Sequence, residues 1–87
     1  MIPTEFLTED CQYRLTLRSF KKDEKEPWGI FNIMTLRLSK KGTFDFEPIP
    51  SSRTDEWIKE HSFSFKNAKS ILLNYERNGK IEVNNSG

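Results

Sequence analysis

The chain reads as a small α+β domain, an antiparallel β-meander of three to four strands with one C-terminal α-helix packed across its apolar face. Three observations predict it. Residues 12–20 alternate apolar and polar side chains with a period of two. Two further alternating runs flank a Lys40-Lys41-Gly42 turn. An amphipathic run follows Ser64 and stops at Asn78 and Gly79.

The first ten residues hold Ile2, Phe6 and Leu7 among Glu5, Glu9 and Asp10, and fit an extended arm or a short helical turn. From Gln12 to Phe20 a strand is predicted, with Tyr13, Leu15 and Leu17 on one face and Arg14, Thr16 and Arg18 on the other. The charged stretch 21–27, KKDEKEP, is a solvated connection ended by a proline.

The second strand is predicted over Trp28–Ser39 and the third over Thr43–Glu47, joined by a three-residue loop with Gly42 in the left-handed position of a G1 bulge. That turn sets a register in which Ser39 faces Thr43, Leu38 faces Phe44, Arg37 faces Asp45 and Leu36 faces Phe46. Met34, Leu36, Leu38, Phe44 and Phe46 would then share the apolar face. Pro48 and Pro50 end the ladder because neither can donate a backbone hydrogen bond.

Residues 55–62 fit two readings. Thr54 before Asp55 and Glu56 resembles a capped helix start, whereas an edge strand fits equally and is the reading preferred here. Phe63, Ser64 and Ala68 then form a hydrophobic staple around a serine N-cap, and Phe65, Ala68, Ile71, Leu72 and Tyr75 recur on one helical face. Lys80–Val83 is read as a possible short strand. The domain is expected to span 1–83, with 84–87 a disordered tail.

An 87-residue chain supports one core, since at this length only about 60 to 65% of the unfolded surface is buried. The hydrophobic fraction is 34% and the mean hydropathy −0.73, but seven Phe bring large buried areas to a small core. Lys and Arg number 14 against 13 Asp and Glu, so the basic excess that phosphate contacts usually demand is missing. Cys11 is the single cysteine, and neither an export leader nor a run of about 18 apolar residues is found. A cytoplasmic protein without a membrane partner is therefore expected.

Catalytic chemistry finds little to work with. One histidine, His61, and one cysteine, Cys11, make a dyad possible on paper, yet no motif surrounds either. A buried, inert Cys11 and a loop or edge His61 are the simpler reading. Two such ligands fall short of a structural zinc site, and no glycine-rich phosphate loop occurs. Neither catalytic residues, nor a metal, nor a cofactor are expected.

The front of the second strand is the informative place. Phe31 and Ile33 would project away from the helix-covered face and need a cover, either the N-terminal arm through Phe6 or Leu7, or the Trp57–Ile58 segment, or a partner. A partner surface would comprise Phe31 and Ile33 with Trp28 and Trp57, ringed by Arg14, Arg18 and Arg37, the residue types that dominate interface energetics. The expected function is a non-catalytic protein-binding protein that acts by occupying another macromolecule, of inhibitor, immunity or accessory type. The alternative is a single-stranded nucleic-acid-binding domain on the same face, weakened by Asp45 and Glu47 there. A homodimer through an open sheet edge is also compatible.

Overall fold

The structure, a computed structural model, describes residues 4–83. Five antiparallel strands lie in the order of the chain: β1 (Glu5–Leu7), β2 (Tyr13–Leu17), β3 (Trp28–Asn32), β4 (Arg37–Leu38) and β5 (Phe44–Asp45). A 3-10 turn at Pro50–Ser52 and two helices follow, α1 (Asp55–Glu60) and α2 (Phe65–Asn78). The α+β meander is as the sequence predicts, with five strands rather than three or four.

The additional strand at the front is the N-terminal arm. Its alternation is short, but Phe6 opposite Leu15 places an aromatic ring on the helix side, packed against Trp28 and Phe65 at ring-centroid distances of 6.0 and 5.7 Å. The predicted second strand is in fact two. After Asn32 the chain turns: the Asn32 side-chain oxygen accepts from the amides of Met34 and Leu36, both at 3.0 Å, and Thr35 takes a left-handed φ of 63°. An asparagine side chain imitating a backbone carbonyl is a strong local turn former. Ile33 and Met34 therefore sit at an exposed turn and not on a sheet face, and the expected apolar row fails at its ends, because Met34 and Phe46 are both exposed.

The middle of that row holds. Arg37 pairs with Asp45 and Leu38 with Phe44, Ser39 N–H donates to Thr43 O, and Gly42 has φ 89°, as the glycine turn requires. Leu15, Trp28, Ile30 and Leu38 from the sheet meet Phe63, Ala68, Ile71 and Leu72 in the core. Each of the leucine, isoleucine and phenylalanine side chains contributes roughly 1.5–3 kcal/mol when fully buried. Helix α2 begins at Ser64, whose hydroxyl accepts from Asn67 N–H, and ends at a left-handed Gly79 with φ 74°.

Within residues 55–62 the chain forms the capped helix α1, Asp55–Glu60, and not the preferred edge strand, with the Thr54 hydroxyl accepting from Trp57 N–H at 3.0 Å. Two acidic residues in the first turn, Asp55 and Glu56, add to that start. Phe63 does pair with the sheet, in a single bridge to Trp28. Residues 80–83 form no strand, although Ile81 and Val83 pack against the core. The expected tail, 84–87, lies outside the described residues.

Candidate functional site

Pairing across antiparallel strands puts partners on the same face. One rank on the side away from α2 therefore crosses all five strands: Leu7, Arg14, Phe31, Arg37 and Asp45. Phe31 is only 4% exposed, and the arm's Phe6 packs instead against Trp28 and Phe65. Three guanidiniums lie over its ring, with the Arg14, Arg18 and Arg37 carbons 4.9, 5.6 and 5.7 Å from its centroid. Arginine can do this because its weakly hydrated, planar head stacks on an aromatic face while its stem covers apolar surface.

Arg37 is the deepest of the three, at 2% exposure. Its Nε donates to His61 O at 2.8 Å and its Nη2 to Ser62 Oγ at 2.9 Å, so the end of α1 holds it flat across the sheet. Its guanidinium carbon also lies over the Trp57 ring, 5.5 Å from the centroid, so Arg37 packs against both Phe31 and Trp57. Gly29 makes room for it: a Cβ there would stand 2.9 Å from Arg37 Nε and 3.2 Å from both Arg18 Cγ and the Phe31 ring. Burial pushes the Arg37 guanidinium down to about 10, with Glu47 opposing that shift, so it remains charged at neutral pH.

The counter-ion is Glu47 and not the cross-strand Asp45. Arg18 and Arg53 both contact the Glu47 carboxylate, the latter at 2.9 Å, and Arg37 Nη1 is 3.8 Å from it. Asp45 instead bonds His61 Nε2 at 2.8 Å, while His61 Nδ1 contacts Trp57 O at 2.7 Å and the imidazole stacks on the Trp57 ring. His61 is thus a buried helix-end residue with both ring nitrogens engaged. Cys11, expected to be buried, is exposed in the β1–β2 turn, so neither ring nitrogen of His61 is directed to it.

Of the seven residues singled out from the sequence, Arg14, Arg18, Phe31, Arg37 and Trp57 come together. Trp28 does not join them, because its side chain lies in the core on the opposite face, and Ile33 lies beside the group on its turn. Glu47 as hub, Arg53 and Phe46 complete the arrangement. Pro48 was the available signal, since it frees Glu47 and Phe46 from the ladder.

Two adjoining concavities open on this face. One of about 330 Å³ is lined by Arg14, Arg18, Phe31, Thr35, Phe46 and Glu47, and a second of about 190 Å³ shares Arg14 and Thr35 and adds Leu7 and Ile33. Leu7, Ile33 and Phe46 are 58%, 65% and 85% exposed, so an arginine-lined hollow is bordered by open apolar side chains. Among the described residues no group of three or more His, Cys, Asp or Glu could hold a metal ion, and no helix is long and apolar enough to cross a membrane.

Compared with protein-family models, with curated proteins and with solved structures, the chain matches none of them. The geometry of this face is therefore what a functional reading rests on.

Proposed function

We propose that the protein is a small non-catalytic binding protein that acts by occupying another protein, as an inhibitor, immunity or accessory factor does. The observation that carries this reading is the apolar border of Leu7, Ile33 and Phe46 around the arginine-lined hollow. Large apolar side chains left open beside arginine are the composition of an interface centre, where aromatic and arginine anchors supply most binding energy. Single exposed apolar residues are ordinary; three bordering adjoining concavities on one face are a patch.

The nucleic-acid reading has less support. Phe31, the aromatic that would stack a base, has its ring covered by guanidiniums, and Glu47 occupies the middle of the basic group. Base stacking needs an open ring face.

A combined Ile33→Ser and Phe46→Ser variant tests the proposal. Both side chains are exposed, so stability should stay within about 0.5 kcal/mol of the original. A binding partner retained from nuclease-treated extract by the original chain should be lost by the variant, with both proteins equally folded by circular dichroism. Equal retention by the two chains would refute this surface. Salt-sensitive binding to single-stranded oligonucleotide that falls with Arg14→Ala would favour the alternative.

A further inference from the structure

The His61 ring is enclosed by acceptors. Its side chain is 5% exposed, with Nδ1 2.7 Å from Trp57 O and Nε2 2.8 Å from Asp45 Oδ2. A carbonyl oxygen and a carboxylate oxygen both accept and cannot donate. A neutral imidazole carries a single N–H, so whichever nitrogen bears it, the other would aim its lone pair at an oxygen within hydrogen-bond distance. Both contacts are hydrogen bonds only when one further proton is present.

That proton belongs either to His61 or to Asp45, and the surroundings favour the ring. Asp45 Oδ2 also accepts the Thr43 hydroxyl at 3.2 Å, and the Asp45 side chain is 44% exposed, so water still reaches the carboxylate. The imidazole stacks on Trp57 with 3.8 Å between ring centroids and 12° between planes, and an indole face attracts a cation. Charged groups meet His61 from three elements. Asp45 on β5 faces the ring, Arg37 on β4 bonds the His61 carbonyl, and Lys59 and Glu60 precede it on α1 with opposite signs. Arg37 opposes a second cation, but Glu47 lies 3.8 Å from its Nη1, and Lys40 on the nearby turn is paired with Glu26.

The geometry assigns His61 as an imidazolium ion that donates to Trp57 O and to Asp45 at once, a proton-dependent clamp between the end of α1 and β5. Loss of the proton leaves one of the two contacts without a donor. Asp45 adjoins Phe46, so release of the clamp loosens the strand end that presents Phe46, while Glu47 stays held by Arg18 and Arg53. An unfolded, unpaired histidine releases its proton at about pH 6.5. The folded chain then binds one proton more than the unfolded chain, so the clamp contributes fully below that pH and its contribution is lost as pH rises and folded His61 releases the proton. The clamp does not depend on the Phe46 surface binding a protein.

The test is ring-nitrogen spectroscopy of the isotope-labelled protein from about pH 5 to 8, with urea unfolding over the same range, on the original chain and on Asp45→Asn. In the original chain both His61 ring nitrogens should carry hydrogens at neutral pH, and the folding constant should fall by up to about tenfold per pH unit above about pH 6.5. A carboxamide can donate to Nε2, so in Asp45→Asn a neutral ring satisfies both contacts. That variant should show a single ring N–H, on Nδ1, at neutral pH, and the fall in its folding constant should vanish. The ring spectrum of the original chain needs no variant to be read. A single ring N–H there at neutral pH, with the second proton on Asp45 or absent, overturns the clamp, as does the same pH dependence of folding in both proteins.

Discussion

Arg37 is where the outer layer of this domain is decided. A cation buried against Phe31 and Trp57 is tolerable because two of its nitrogens have acceptors and a carboxylate lies near the third. Arg37→Met should cost about 2–4 kcal/mol in urea unfolding, because His61 O and Ser62 Oγ lose their donor and Glu47 loses a nearby cation, a loss only partly offset by relief of the repulsion from Arg18 and Arg53. Arg37→Lys should recover little, since an ammonium cannot span both acceptors or stack flat. Near-normal stability of Arg37→Lys would show that charge and not the planar fork matters. Gly29 tests the same packing from below. A Cβ placed 2.9 Å from Arg37 Nε forces the guanidinium to move, so Gly29→Ala should cost about 1–3 kcal/mol and shift the indole resonance of Trp57. An unchanged Trp57 signal would mean the Arg37 packing tolerates the methyl group.

At the scale of elements, what the sequence declared and what it hid have separate physical causes. The Gly42 hairpin and the Ser64 to Gly79 helix were legible because turn residues and periodicity agreed at both. The β3–β4 turn was not, because residues 28–39 contain no proline and their one glycine, Gly29, lies in β3; only the Asn32 side chain marks the turn. For α1, local capping by Thr54 outweighed an ambiguous apolar pattern. The site was half legible: alternation put Arg14, Arg18 and Phe31 on one face, but nothing in the order of residues said that arginines would themselves cover the ring. Glu47 acquired its role only through contacts distant in sequence. The hidden turn carries strain, because Thr35 is β-branched at a left-handed φ of 63°. Thr35→Gly should raise stability by about 1 kcal/mol in thermal or urea unfolding, the left-handed penalty exceeding the entropy glycine adds to the unfolded chain. A loss of stability would show that the Thr35 hydroxyl bond to Met34 O outweighs the strain.

Across the whole molecule, the β1–β2 turn and α2 are joined by a carboxylate and a phenol. Tyr75 on α2 donates to Asp10 in the β1–β2 turn, Glu9 N–H donates to Glu76, and the Tyr75 ring meets Tyr13 edge-on at 4.6 Å. The Tyr75 hydroxyl, then the Thr8 hydroxyl and the Gln12 amide, hold the Asp10 carboxyl below its usual 3.8. The same bond pushes the Tyr75 phenol up to about 12 from 10.0. The two shifts act at opposite ends of the pH scale. Asp10 binds its proton less tightly when folded, so its contribution to stability is complete above pH 3.8 and fades as pH falls through its lowered folded value. Tyr75 holds its proton more tightly when folded, so its contribution is complete below pH 10.0 and disappears as pH rises through about 12. Tyr75→Phe keeps the contact with Tyr13 and removes only the hydroxyl. It should raise the Asp10 midpoint toward, but not to, 3.8, because Thr8 and Gln12 still donate. The alkaline loss due to Tyr75 should vanish from urea unfolding followed against pH. Carboxyl carbon shifts of Asp10 read the first effect directly, and an Asp10 midpoint identical in both proteins would show that the turn orders its carboxylate without the helix.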